Sequence, residues 1–299
     1  MVTESITSTL KFLPLQASIP GYESFFGTYL FCGDKKAIVD VGPADVLPSL
    51  LSKLADQSIG LDEIDYIILT HIHIDHAGGV GAAAKKMKNA KIVAHERARP
   101  HLINPARLWE ASIKTLGELA NQYGSIEPVS EERIISAEDL MKLDLGRGLQ
   151  LEIHFTPGHA PHHLSLLDRS NGVLLVGEAA GVCQDSALRP STPPPFRFEE
   201  ALSSIDRLIA LEPMKVCYAH LGCYDDGMDL LKLAKLQLVE WREAVKLGVK
   251  GNKTPEEILK AIRRNDRSLD YLFKLNRDEY ERECKMLINS VIGLTNKEN

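Results

Sequence analysis

The run Thr70-His71-Ile72-His73-Ile74-Asp75-His76-Ala77-Gly78-Gly79 constrains this chain more than any other stretch. Four metal-competent side chains, His71, His73, Asp75 and His76, fall within six positions. The residues before them, Ile64-Asp65-Tyr66-Ile67-Ile68-Leu69, are apolar and β-branched and read as a buried strand. Gly78, Gly79 and the alanines beyond read as a turn feeding a helix. The four side chains are therefore expected on a loop at a strand's C-terminal end, where α/β proteins place their sites. His71 and His73 are two apart, so in extended backbone they point the same way and suit one ion. Asp75 and His76 follow as the chain turns and can face a second ion. The bland alternative is a polar surface loop, but histidine is seldom used this densely without a metal to neutralise the cluster.

This H-x-H-x-D-H resembles the signature of the metallo-β-lactamase-fold hydrolases. That family needs three further ligands downstream: a His after a strand, an acidic residue after another strand, and a late His. The chain offers Thr156-Pro157-Gly158-His159, Val176-Gly177-Glu178-Ala179-Ala180 and Tyr218-Ala219-His220-Leu221-Gly222, in the family's order, each after a strand-like run. The resemblance covers roughly residues 8 to 225. It implies an α/β fold, the αββα sandwich, and two divalent metal ions. His71, His73 and His159 go to the first ion, and Asp75, His76 and His220 to the second. Glu178 takes the place of the bridging carboxylate, where the family's usual residue is the shorter Asp. The only other acidic candidate nearby is Asp185, well into the next loop. Three neutral imidazoles suit Zn²⁺ at about 2.0–2.1 Å, while Mn²⁺ and Fe²⁺ share these ligands. Two ions held this way can clamp a bridging hydroxide and a substrate carbonyl together. Asp75 is then also catalytic, orienting the hydroxide or passing a proton to the leaving group. Ile38-Val39-Asp40-Val41-Gly42 resembles the family's first motif, whose Asp buttresses the metal loop.

Bulk properties narrow the partners. The 299 residues are 44% hydrophobic with a net charge of −6 and no dense Lys/Arg run, so a nucleic-acid groove is not expected. The nucleases of this fold usually carry an inserted domain that this chain does not display. No apolar run is long enough for a bilayer, and Met1-Val2-Thr3-Glu4-Ser5 lacks a signal-peptide pattern, so no membrane partner is expected. Five cysteines, odd in number and widely spaced, suit a reduced, cytoplasmic protein. Cys183 and Cys223 each lie a few residues past an implied ligand, but their default reading is small apolar packing.

Residues 1–224 read as the metal-binding domain and 225–299 as a helical C-terminal extension packed on it. Two halves, each strand-rich and then helical, fit the αββα sandwich. Residues 97–136 read as a helical excursion, with Leu108, Trp109, Ile113 and Leu116 at helical spacing. It packs against the body or walls the substrate pocket. His95 and His101 lie outside the family's ligand motifs and read as ordinary polar residues, His162 is uncommitted, and His163 reads as structural. Lys215-Val216-Cys217-Tyr218 reads as the last strand. In the tail, Asp229 to Leu247 is one long helix, Thr254-Pro255-Glu256-Glu257 starts another, and a third runs from Arg277 to about Ile292. Its Leu and Ile content suggests a homodimer contact.

The functional expectation is a binuclear hydrolase of a small acyl compound: an ester, lactone or thioester. Gly181 stands where lactonases acting on acyl-homoserine lactones often carry a Tyr. The tail shows no clear set of basic residues of the kind that anchors glutathione thioesters. β-Lactamases do not usually carry this complete ligand set with a carboxylate bridge. The alternatives are an iron-dependent redox enzyme such as a persulfide dioxygenase, and a phosphodiesterase or nuclease-type hydrolase.

Overall fold

Most strands of the first half are apolar on both faces, and a strand of that kind must be covered on both sides. The computed structural model describes residues 4–184, 187–220 and 222–295. Strands β1 (Glu4–Ser5), β2 (Leu10–Leu15), β3 (Phe26–Cys32), β4 (Lys36–Val39), β5 (Ile64–Ile68), β6 (Lys91–His95) and β7 (Ile134–Ala137) lie in that order in a seven-stranded sheet. The pairs are antiparallel as far as β4 and parallel from β4 to β7. Alternation along the strands splits their side chains. Tyr29, Phe31, Ala37, Val39, Ile68 and Val93 face inward, while Leu30, Ile38, Ile67 and Ile92 face helices. Those helices are α1 (Leu47–Asp56), α2 (Ile74–Ala77) and α3 (Val80–Lys86), then α4 (Arg99–Ile103), α5 (Ala106–Leu116) and α6 (Glu118–Tyr123).

The second half supplies β8 (Lys142–Gly146), β9 (Leu149–Phe155), β10 (Leu164–Asp168) and β11 (Val173–Gly177), a small ribbon of β12 (Val182–Gln184) and β13 (Ala187–Arg189), helix α7 (Phe198–Ile209), and β14 (Lys215–Tyr218) with β15 (Gly222–Tyr224). Its six-stranded sheet is ordered β15-β14-β11-β10-β9-β8. Leu143, Leu151, Ile153, Leu164, Leu166, Val173 and Leu175 meet the inward side chains of the first sheet. The opposite face, with Leu174, Val176, Val216 and Tyr218, is covered by α7 and by α8 (Gly227–Lys250). The result is the expected αββα sandwich with C-terminal helices. Helices α9 (Pro255–Asn265) and α10 (Arg277–Thr295) complete a further apolar cluster with α7 and α8 around Trp241. Thr254 caps α9 through Glu257 N, and the Glu257 side chain caps Thr254 in return. No helix among the described residues is long and apolar enough to cross a membrane.

Three expectations need correction. Asp75 and His76 sit on the single turn α2 rather than on a loop, because His76 N and Ala77 N both bond back to His73 O. The excursion is helical through α4 to α6, but its last residues return as β7, a strand of only four residues whose partner β6 lies about forty positions earlier. The strand Lys215–Tyr218 is not the last: β15 pairs back onto it.

Candidate metal centre

Every implied ligand follows a strand and stands at one end of the sandwich. Asp40 follows β4, His71 and His73 follow β5, and Asp75 and His76 ride on α2 just beyond. His159 follows β9, Glu178 follows β11 and His220 follows β14. Leu164 N bonds to Thr70 O across the two sheets, at 2.8 Å, which brings the metal loop against the second half.

The seven side chains form two groups of four that share Glu178. One holds His71, His73, His159 and Glu178; the other holds Asp75, His76, Glu178 and His220. In the first, His71 Nε2 and His159 Nε2 lie 3.1 and 3.0 Å from His73 Nδ1, and 3.6 and 3.0 Å from Glu178 Oε2. A tetrahedron with ligands about 2.0–2.1 Å from its centre has edges of about 3.3–3.4 Å. An imidazole nitrogen carries one proton or one lone pair, so it cannot serve two such neighbours by hydrogen bonding. Converging lone pairs suit a cation instead. In the second group, His76 Nε2 is 3.3 Å from Glu178 Oε2 and 3.5 Å from Asp75 Oδ2, while His220 Nε2 is 3.8 Å from Asp75 Oδ2. His76 Nε2 and both nitrogens of His220 are buried without a hydrogen-bond partner among the described residues. Such orphaned nitrogens are costly unless something binds them.

The outer nitrogens explain which ones face inward. His76 Nδ1 donates to Asp40 Oδ2 at 3.0 Å. His71 Nδ1 donates to Thr70 Oγ1 at 3.0 Å, and that hydroxyl donates to Asp40 Oδ2 at 2.7 Å. His159 Nδ1 donates to the Ser191 carbonyl at 3.0 Å. Each bond leaves Nε2 as the free lone pair. Asp40 adopts φ +57°, a conformation Asp tolerates better than most residues, and also accepts Thr70 N at 2.8 Å. It touches neither group directly and buttresses the loop, as expected.

Electrostatics agree with a cationic occupant. Burial, then neighbouring histidines, holds His71 well below its ordinary value, and burial lowers His73 and His220 to about 4. These three are neutral, the form that binds metal. Burial also opposes charge on His76 and His159, but the carboxylates of Asp75 and of Glu178 respectively outweigh it and raise them. Conversely, burial pushes Asp75 and Glu178 up, yet the histidines win: Asp75 falls to about 2 and Glu178 well below the carboxylate range. Asp75 and Glu178 are thus anionic beside three neutral imidazoles, and without a metal it is protons on His76 and His159 that answer their charge. The site calls for positive charge, and its N/O donor set fits a borderline divalent ion.

Glu178 is fixed from several sides. Its N–H donates to His163 Nε2 at 3.1 Å, and His163 Nδ1 donates to Thr156 Oγ1 at 2.8 Å, so His163 is structural. Ser191 Oγ donates to Glu178 Oε1 at 2.9 Å, leaving Oε2 to both groups. Gly177 has φ +56°, and a Cβ there would lie 2.5 Å from His163 Nε2. The alternative carboxylate, Asp185, lies outside the described residues. Ser191 was not foreseen, since a lone Ser before prolines carries no signal. The His162 ring centroid lies 6.1 Å from that of His73, while His95 Nδ1 accepts Arg97 N and its ring lies tilted against Phe155. Neither these nor Cys183 and Cys223 belong to the two groups. The excursion serves the site by packing: Tyr123 of α6 is buried against Phe26, beside His220.

A model of the metallo-β-lactamase superfamily matches residues 28–220 of this chain. The metallo-β-lactamase fold-containing protein ST1585 of Sulfurisphaera tokodaii is 34% identical over 199 residues, which cover 65% of this chain and 72% of that protein. Its crystal structure aligns with a TM-score of 0.67 at 29% identity, covering 77% of this chain and 86% of that one. The metallo-β-lactamase family protein TTHA1429 of Thermus thermophilus shares the fold, with a TM-score of 0.67 at 24% identity over 94% of this chain and 95% of that one. A hydroxyacylglutathione hydrolase of Aliivibrio fischeri is 26% identical over 137 residues, or 44% of this chain and 52% of that enzyme, so the match spans about half its length.

Proposed function

The chain belongs to the metallo-β-lactamase superfamily, and from that premise we propose a metal-dependent hydrolase holding two divalent ions and acting on a small ester, lactone or thioester. The observation that carries this reading is the meeting of two four-ligand groups on one oxygen, Glu178 Oε2. His71, His73 and His159 would hold one ion and Asp75, His76 and His220 the other, with Glu178 shared between the two groups. Zn²⁺ is the expected metal. When bound, such ions polarise a carbonyl oxygen and bring the pKa of water close to neutrality.

The chain's own residues prepare that chemistry. Asp40 keeps the His71 and His76 tautomers that turn Nε2 inward, directly and through Thr70. Ser191 does the same for His159 through its carbonyl and steadies Glu178 through its hydroxyl. Asp75 is the one carboxylate of the set that is partly exposed, at 19% of its side chain against 4% for Glu178. It can therefore accept a proton from entering water and pass that proton to a departing oxygen or sulfur. Phe25 and Phe26 pack against His220 and keep solvent from that side. The relative named a hydroxyacylglutathione hydrolase is a reason to include thioesters among the test substrates.

The test is a panel of lactones, thioesters, aryl esters, β-lactams and a phosphodiester, with oxygen uptake followed in parallel, on protein of measured metal content. The expected result is two ions per chain and acyl hydrolysis that disappears on chelation and returns with Zn²⁺ or Mn²⁺. Protein that holds at most one ion in excess metal overturns the binuclear reading. Oxygen uptake or phosphodiester cleavage without acyl hydrolysis overturns the substrate class.

A further inference from the structure

Among the four buried histidines of the two groups, His220 is held differently. His71, His76 and His159 each have an outer nitrogen hydrogen-bonded to a hydroxyl, a carboxylate or a carbonyl. Neither nitrogen of His220 has such a partner among the described residues. Its ring stacks on Phe25 instead, at a centroid distance of 4.1 Å and an interplanar angle of 23°. The guanidinium of Arg282 packs over Phe25 as well, with Cζ 4.7 Å from the ring centroid and 5.6 Å from that of Tyr22. Arg282 belongs to α10, outside the region of the chain that the superfamily model matches.

Arg282 is itself fixed. It is 6% exposed, donates to the Gly21 carbonyl, and pairs with Glu283, which is 1% exposed. Glu283 also accepts Arg189 Nε at 2.8 Å and Tyr271 Oη at 2.7 Å. Gly21 lies so close to α10 that a Cβ on it would meet Asp278 O at 2.6 Å. The loop carrying Tyr22 and Phe25 is therefore clamped to the C-terminal helix at both its backbone and its aromatic rings. A guanidinium on an aromatic face is attracted to it and, being planar, fixes its tilt.

We infer that Arg282 is a positioning residue for the second metal ion, setting the orientation of His220 through Phe25 where the other buried ligands use a hydrogen bond. The proposal rests on the two-ion reading above and goes beyond it in giving the C-terminal helix a part in the metal centre. Loss of a partner one step behind a ligand weakens a metal by about 10–100-fold, and here the loss falls on one ion only. Phe25 is that partner here, and Arg282 acts through it, so Arg282→Met is expected at the low end, with the second ion bound about tenfold more weakly and the first little changed.

The experiment titrates full-length protein with Zn²⁺ against a chromophoric chelator and records the visible spectrum of the Co²⁺-substituted form. Arg282→Met weakens the second step and alters the spectrum of the second equivalent of Co²⁺, and Arg282→Lys restores part of both. Arg277→Met, on the exposed first turn of the same helix, changes neither. Should Arg282→Met fail to fold, Phe25→Leu decides, since it removes the stack while sparing the Arg282–Gly21 bond; it is expected to show the same selective loss. Unchanged second-ion affinity in whichever of these variants folds overturns the proposal alone. Wild-type protein that takes up fewer than two ions overturns the two-ion reading first, and this proposal with it.

Discussion

Glu178 sits where the resemblance implies a bridging Asp, and its extra methylene has to be absorbed. The structure absorbs it in the backbone and in the second oxygen. Gly177 turns at positive φ, Glu178 N is tied to His163, and Ser191 takes Oε1, so that Oε2 alone reaches both groups. Glu178→Ala should therefore lose the second ion first and cut turnover by at least about 100-fold, since even partners one step further out cost 10–100-fold. Glu178→Asp should keep both ions with a smaller loss of rate, and substitution of Asp185 should do little. Metal analysis with steady-state kinetics checks this. An Ala variant with two tightly held ions and near-normal turnover rules the bridge out. At this scale the sequence was readable wherever chemistry was local or ordered. His71, His73, Asp75 and His76 announce themselves by density, and His159, Glu178 and His220 by their order after strands. Ser191 and Phe25 were not readable, because each is brought to the site by contacts that no neighbouring residue signals.

Elements were legible where hydrophobic periodicity was long, as in α7, α8 and α10, and obscure where it was short. Four residues of β7 and three of β15 are too few to show a period, and both strands exist because a sheet edge is there to receive them. The pairing of α10 with β13 was equally hidden, since Arg189 and Glu283 are 94 positions apart. This contact makes a prediction about pH. Burial pushes the Glu283 carboxyl up, but Arg189 and then Arg282 outweigh it, and its pKa in the folded protein lies below the ordinary value. A depressed carboxylate contributes stability that is present above the unfolded value of about 4.3 and is lost as pH falls through the folded value. Glu283→Gln should cost about 3–5 kcal/mol at pH 7, as breaking a buried pair does. The gap from wild type should shrink as pH drops below about 4. Urea unfolding in chelator, so that metal release contributes to neither protein, measures it. A gap as large at about pH 3.5 as at pH 7 rules out the ionic origin.

For the molecule as a whole, the tail was expected as an extension packed on the metal-binding domain, and its leucines suggested a homodimer contact. Many of those leucines are used within the chain: Leu230, Leu231, Leu238, Leu259, Leu272, Leu287 and Leu294 are buried. Leu233, Leu236, Val239 and Leu247 remain exposed along one side of α8, and we propose that face as the homodimer contact. Sedimentation at tens of micromolar tests it; a monomer overturns the expectation. The same burial predicts what truncation does. Removing residues 225–299 strips Leu230, Leu231 and Ala234 from the outer face of the second sheet, and Leu238, Trp241 and Val245 from α7. Burying a large apolar side chain is worth about 1.5–3 kcal/mol. Losing five of them withdraws about 8–15 kcal/mol, as much as a whole domain's net stability of about 5–15 kcal/mol. It also removes Glu283 and Ser290, which hold Arg189 and Thr192 on either side of the Ser191 loop. A chain ending at residue 224 should be insoluble, or soluble with near-native far-UV and lost near-UV circular dichroism, and should bind metal weakly. A truncated protein that unfolds cooperatively and takes up two ions as the full chain does would show that the tail is a true appendage.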